Sequence, residues 1–244
     1  MARAAVPGRL NWLVSTLNAT RDETPTARTL VLDVPGWPGH LAGQHVDIKL
    51  TAEDGYSAQR SYSIASAPDA ARLELTIQRI ADGEVSPYLT GVLEPGDPLE
   101  LRGPIGGWFV WNPSSPAPVL LVAGGSGVVP LMSMIRAIEG RVPVRLIYSV
   151  RSPADALYVA ELSERARVSP LTLTYLYTRR APEGVPAGRI NAGVVEAAGW
   201  PPEAKPAIFV CGPTGFVEAA ADLLVAAGHD PGTVKTERFG PTGT

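Results

Sequence analysis

Arg60-Ser61-Tyr62-Ser63-Ile64-Ala65-Ser66 carries three kinds of group that suit a phosphorylated planar heterocycle. In an extended chain, Arg60, Tyr62 and Ile64 share one face, and Ser61 and Ser63 share the other. A guanidinium grips a pyrophosphate through two parallel hydrogen bonds. A phenol ring offers a flat surface for stacking. A serine hydroxyl donates to a ring nitrogen or accepts from one. An ordinary barrel strand with outward polar residues has the same pattern. Gly83-Glu84-Val85-Ser86-Pro87 precedes an apolar helical turn of Tyr88, Leu89, Val92 and Leu93. Free N–H groups at a helix start favour phosphate. Ser86 as the cap and Pro87 as the first helical residue would explain the same letters.

Val122-Ala123-Gly124-Gly125-Ser126-Gly127-Val128-Val129-Pro130 follows an apolar run and opens a helical one. Glycines let the backbone approach a pyrophosphate, and the helix dipole favours its charge. The spacing is neither GxGxxG nor a P-loop, and a glycine-rich turn between strand and helix is the plain alternative. Cys211-Gly212-Pro213 follows the run Phe209-Val210. This puts the thiol at the C-terminal end of a strand, where open parallel sheets bind ligands. An isolated cysteine is also a common small core residue. Thr236-Glu237-Arg238-Phe239-Gly240 ends a last apolar run. Two further strand ends read Tyr148-Ser149-Val150-Arg151 and Tyr177-Thr178-Arg179-Arg180. No acid follows either strand immediately. The clustered arginines suit a ribose 2′-phosphate rather than two free ribose hydroxyls, and solvated loop charges are the plain alternative.

The elements that must position these residues fall into two kinds. Before residue 113, short alternating or β-branched runs at 29–34, 44–50, 72–80 and 99–102 are separated by Gly, Pro and Asp turns. Such spacing predicts an antiparallel barrel. After Pro113-Ser114-Ser115-Pro116, apolar strands at 118–122, 144–148, 171–177 and 207–210 alternate with helical patterns at 131–138, 156–166, 191–198 and 216–227, and a fifth strand covers 233–238. This rhythm predicts a five-stranded parallel sheet with helices on both faces. The expected class is β followed by α/β, with domains at 1–113 and 117–244.

Composition narrows the function further. The 244 residues carry a net charge of -3 with both signs scattered, which argues against nucleic-acid binding. No apolar run spans a membrane, and the first 17 residues lack a leader pattern, so a cytoplasmic protein is expected. Cys211 is the only cysteine, so the sequence holds neither an internal disulfide nor a thiolate-bound iron–sulfur cluster.

In this order, the motifs resemble those of the ferredoxin–NADP reductase superfamily, over residues 38–239. The resemblance implies FAD, with FMN the alternative, and NADPH or NADH as co-substrate. It matches Arg60, Tyr62 and Ser63 to the Arg-x-Tyr-Ser flavin motif, with Ser63 near the flavin N5. Gly83, Val85 and Ser86 match the second flavin phosphate motif, and Ile77 is placed with the cofactor contacts. Gly103-Pro104-Ile105-Gly106 looks like the family's turn closing the barrel. Gly124, Gly125, Ser126, Gly127 and Pro130 match the pyridine-nucleotide loop. Cys211, Gly212 and Pro213 match the segment flanking the nicotinamide. Glu237 and Phe239 match a glutamate two positions before a flavin-covering aromatic. Ser63, Cys211, Glu237 and Phe239 are the expected catalytic group. Ser149, Arg151, Thr178 and Arg179 are the expected dinucleotide-selecting group, favouring NADPH. Gln78 stands where plant-type members often have lysine, and five residues follow Phe239. The fused cluster domain of many relatives is missing from these residues. The expected partner is therefore a separate electron-carrier protein or redox enzyme. A free-flavin reductase and an electron-transfer subunit of a larger complex are the competing readings.

Overall fold

A computed structural model describes residues 10–240, so the outermost positions of both expected domains lie outside the described residues. The first half contains β1 (Leu13–Thr24), β2 (Ala27–Asp33), β3 (His45–Thr51), β4 (Ser57–Ser63), β5 (Leu73–Gln78), the short helix α1 (Ser86–Gly91) and β6 (Pro98–Ile105). The six strands are antiparallel in the order β4-β3-β6-β1-β2-β5. A bridge between Ile64, just past β4, and Leu75 of β5 brings the outer strands together into a barrel. Its core is the inward set Leu17, Leu30, Leu32, Val46, Ile48, Ile64, Leu75, Ile77, Leu99 and Leu101. These positions follow the two-residue period of half-buried strands.

The second half contains β7 (Val119–Gly124), α2 (Val128–Ile138), β8 (Val144–Val150), α3 (Val159–Val168), β9 (Leu171–Tyr177), α4 (Ala192–Ala198), β10 (Ala207–Pro213), α5 (Thr214–Ala226) and β11 (Val234–Phe239). The five strands are parallel in the order β11-β10-β7-β8-β9. Alternate residues feed opposite faces. Leu121, Ala123, Leu146, Tyr148, Phe209 and Cys211 join the core under α2 and α3, while Leu120, Val122, Ile147, Ile208 and Val210 join that under α4 and α5. A sheet buried on both faces explains why its strands read as continuous apolar runs.

The expected fold class is the observed one, with differences in detail. The sequence reading passed over β1, whose polar residues Ser15, Thr16, Asn18, Thr20, Arg21 and Asp22 dilute the alternation. Ser15 is nevertheless buried, and its hydroxyl donates to the Leu99 carbonyl at 2.8 Å. The cap assignment at α1 is corrected. Val85 is the N-cap, and Ser86 and Pro87 are already helical. The Ser86 hydroxyl instead accepts from the Ile80 N–H at 3.0 Å, which fixes the loop onto the helix.

The Gly124–Gly127 turn lies between two packed layers. A Cβ on Gly127 would sit 2.1 Å from the Cys211 carbonyl oxygen, so β10 and the start of α2 touch backbone to backbone. Gly127→Ala should therefore destabilise the protein by about 1–3 kcal/mol through overpacking, measured by urea unfolding. A midpoint unchanged from the parent would contradict this close approach.

Candidate functional site

All five parallel strands end at one edge, and a cleft of about 810 Å³ runs between this edge and the barrel. Gly124, Gly125, Ser126, Ser149, Arg151, Thr178, Arg179, Pro213 and Phe239 line it, as their strand-end positions predict. Gly125 has φ +55° and open space where a Cβ would stand, so bare backbone faces outward there. The ends of β8 and β9 are tied together. The Thr178 N–H donates to the Val150 carbonyl at 2.9 Å, and the Arg179 and Arg180 N–H groups donate to the Arg151 carbonyl at 3.0 Å.

The cleft also contains residues that the sequence reading missed. Arg79 and Ile80 enter from the barrel side, and Asp155, Arg189 and Phe216 from the other. Arg79, Arg151, Arg179 and Arg189 are exposed, and their side chains make no ion pair with a described residue. Among the described residues Asp155 is the only acid in the lining, and its carboxylate accepts from the Ser152 hydroxyl at 2.5 Å. The wall is therefore strongly cationic. Gln78 and Thr26 also line the cleft, and the Gln78 amide donates to the Thr26 carbonyl and hydroxyl at 2.9 and 2.8 Å.

Where barrel and parallel sheet meet, three expected residues line up through a fourth. Ser63 pairs across strands with His45. The His45 Nδ1 lies 3.9 Å from Glu237 Oε1. Glu237 pairs across strands with Cys211. His45 was invisible as a site residue because a lone histidine entering a strand has no distinguishing pattern. Burial governs the protonation of all three titratable groups. It lowers the His45 pKa against the opposing charge of Asp47. It pushes the Glu237 carboxyl up to about 7. It is also the main cause holding the Cys211 thiol well above its usual range, with the Glu237 charge adding to it. Cys211 is thus a neutral core thiol, not a nucleophile.

The flavin-motif residues stand along the barrel wall. Arg60 donates to Glu84 at 2.7 Å, and Glu84 also accepts from the Tyr56 hydroxyl at 2.8 Å. Tyr62 packs its ring against the barrel core, and burial pushes its phenol up to about 12. Gly83 closes a turn before α1, its N–H donating to the Ile80 carbonyl at 3.0 Å. Val85 and Ile77 point into the barrel core, so neither side chain is available to a ligand. Pro130 and Gly127 are buried behind the loop that Gly125 and Ser126 present. Gly212 packs on Gly124 and the Phe216 ring.

These residues fit the two groups the motifs imply. The cleft joins unpaired guanidinium groups to exposed glycine backbone, which is the chemistry a dinucleotide phosphate requires. At the junction, Glu237 Oε2 is buried with no hydrogen-bond partner among the described residues, a state that costs free energy until something donates to it. On the barrel wall, the half-exposed Arg60 and the Tyr62 ring are the charged and planar partners a flavin dinucleotide needs.

The raised pKa of Glu237 makes stability pH-dependent. The fold opposes its ionisation, so its contribution is fully present below the ordinary value of 4.5 and is lost as pH rises through about 7. Glu237→Gln is neutral throughout. Between pH 4.5 and 8, the flavin-free parent should lose as much as about 3 kcal/mol relative to this variant. Parallel pH dependences of their unfolding free energies would rule the effect out.

Two family models match, an oxidoreductase FAD-binding domain over residues 16–110 and an oxidoreductase NAD-binding domain over residues 121–222. The chain is 35% identical over 222 residues to ferredoxin–NADP reductase B of Sorangium cellulosum, covering 85% of this chain and 88% of that protein. It is 34% identical over 210 residues to the glycine betaine monooxygenase reductase subunit of Pseudomonas aeruginosa, covering 82% of this chain and 56% of the relative. The chain thus spans little more than half the length of the first curated relatives it matches. Among solved structures, a cytochrome P450 reductase of Amycolatopsis superposes with a TM-score of 0.84 at 26% identity, covering 98% of this chain and 72% of that one. With an FAD-binding barrel, an NAD-binding parallel sheet and a relative matched across both, the chain belongs to the ferredoxin–NADP reductase family of flavoprotein oxidoreductases.

Proposed function

We propose that this chain is an NADPH-dependent reductase that passes electrons through bound FAD to a separate electron-carrier protein or partner redox enzyme. One observation carries the reading. The Ser63–His45–Glu237–Cys211 line joins the strand of the flavin motif to the strand end beside the glycine loop, next to a cationic cleft. The names of its relatives, a ferredoxin–NADP reductase and a monooxygenase reductase subunit, support a protein acceptor. A cytoplasmic setting belongs to the same reading, as does a division of the chain at residues 114–116.

The flavin supplies hydride acceptance and stepwise electron release; everything else falls to the chain. Arg60 holds the flavin pyrophosphate once it exchanges Glu84 for a phosphate. Tyr62 would pack on the isoalloxazine, and Ser63 would stand on its N5 side. Gly124, Gly125 and Ser126 present backbone to the nucleotide pyrophosphate. Phe239, more than a third exposed at the end of β11, would cover the ring face until the nicotinamide takes its place. Glu237, which titrates near neutrality, and His45, biased toward its neutral form, would hold protons beside the reacting rings. Arg179 meets the 2′-phosphate, with Ser149, Arg151 and Thr178 beside it and Arg189 within the same cleft.

Anaerobic reduction by NADPH and by NADH, followed at the flavin absorbance, tests the reading as a whole. The expected result is bound FAD that bleaches faster with NADPH. Protein that binds no flavin, or flavin that neither dinucleotide bleaches, would overturn it. Arg60→Ala should weaken FAD binding by about 1.5–3 kcal/mol, the worth of a charge-assisted hydrogen bond, in a fluorescence titration. Arg179→Ala should raise the KM for NADPH at least severalfold and leave that for NADH nearly unchanged. Equal use of both dinucleotides by the parent would remove the 2′-phosphate assignment.

A further inference from the structure

Helix α2 begins where the glycine loop ends, and two of its side chains leave it toward the barrel. The Ser133 hydroxyl donates to the Ser66 carbonyl at 2.6 Å. One turn on, Arg136 Nη1 donates to the Ala65 carbonyl and to Glu74 of β5, both at 2.9 Å. Residues three apart share a helix face, so both contacts lie on one side of α2. Ala65 and Ser66 come two and three residues after Ser63, directly behind the flavin-motif strand. The other edge of the guanidinium grips Glu161 of α3 through Nε at 2.9 Å and Nη2 at 2.6 Å. Tyr158 closes the cluster. Its ring lies 5.5 Å from the guanidinium carbon, and its hydroxyl donates to Thr76 of β5. Its backbone N–H donates to Glu23 of β1 at 3.3 Å.

Arg136 is only 11% exposed and is not among the residues lining the cleft. Its guanidinium therefore meets neither the nucleotide loop nor the Arg60–Tyr62 wall. It sits about 13 Å along the helix from Gly127, at 1.5 Å of rise per residue. One rigid element thus carries the nucleotide loop at its start and holds the tail of the flavin strand near its end. Hydride transfer requires the reacting atoms at roughly 3–3.5 Å, and a displacement of about 1 Å can cost on the order of a hundredfold. A shift of α2 against residues 65–66 would alter that separation while leaving the contacts within each cofactor site intact.

We infer that Arg136 and Ser133 are positioning residues for hydride transfer, fixing the register of the nucleotide loop against the flavin strand. The inference rests on the reductase reading above. Its distinguishing signature is a loss of rate without a loss of binding. Arg136→Lys keeps the charge but cannot span Ala65, Glu74 and Glu161 together. Ser133→Ala removes one hydrogen bond while Ser66 keeps its contact with His40 Nε2 at 3.1 Å.

The test uses the FAD-loaded protein and both variants. It measures the limiting rate of flavin reduction at saturating NADPH, the Kd for FAD, the Kd for NADP⁺, and thermal unfolding. The expected result is a limiting rate at least ~10-fold lower in each variant, with both Kd values within ~2-fold of the parent. If Arg136→Lys fails to fold, Ser133→Ala decides alone. Parent-like limiting rates overturn the inference, as does a rate loss matched by weakened binding of either cofactor. A parent that NADPH and NADH both fail to reduce overturns the reductase reading itself. A parent reduced normally beside unaffected variants overturns only the positioning role.

Discussion

Two sheets have to present two cofactors to each other at a separation of a few ångströms. Helix α2 spans the junction under that constraint, with the glycine loop at its start and Ser133 and Arg136 reaching the barrel. Arg136 bears much of it, because its guanidinium reaches the barrel at Ala65 and Glu74 and the parallel sheet's own helix at Glu161. Taking these charges out of water is costly, and the cluster persists because each nitrogen finds an oxygen. Arginine suits this task where lysine does not, since its planar fork holds several acceptors at fixed angles. Within the parallel half, the backbone contact of Gly127 with Cys211 seats the start of α2 on β10.

Charge is distributed unevenly around that junction. Along the cleft, four arginines face a single acid and await an anionic partner. At the meeting point of the sheets, burial suppresses charge. The His45 imidazole is biased toward its neutral form, the Cys211 thiol stays protonated, and Glu237 titrates near neutrality. This arrangement separates binding from chemistry. In the proposed reading, phosphates would be held by fixed charge at the periphery, and the reacting rings would meet where few fixed charges oppose a moving hydride.

The strands and helices of the parallel half were legible because a sheet covered on both faces writes unbroken apolar runs, and residues 171–177 coincide with β9. The barrel was legible in class but not in full. β1 was hidden because its buried positions include Ser15, whose hydroxyl finds a carbonyl 84 residues away. The site was legible where function constrains the backbone, at Gly124-Gly125-Ser126 and at strand ends such as Arg151 and Arg179. It was not legible where function depends on distant neighbours. His45 gains its place from Glu237, and Arg79 and Arg189 gain theirs from the closure of the cleft.

The sequence by itself determined the two-part architecture, the order of the motifs and the types of group available at each strand end. Those properties are local, since periodicity, turn residues and strand termini are encoded within a few positions of one another. Tertiary structure alone decided which of those groups meet. It turned Ile77 and Val85 into core residues, exchanged the expected cap at Ser86 for a loop contact, and brought Ser63, His45, Glu237 and Cys211 into one line. The physical reason is that side-chain direction and burial depend on contacts between residues far apart in the chain. The register of two sheets against each other is such a contact, and no local pattern records it.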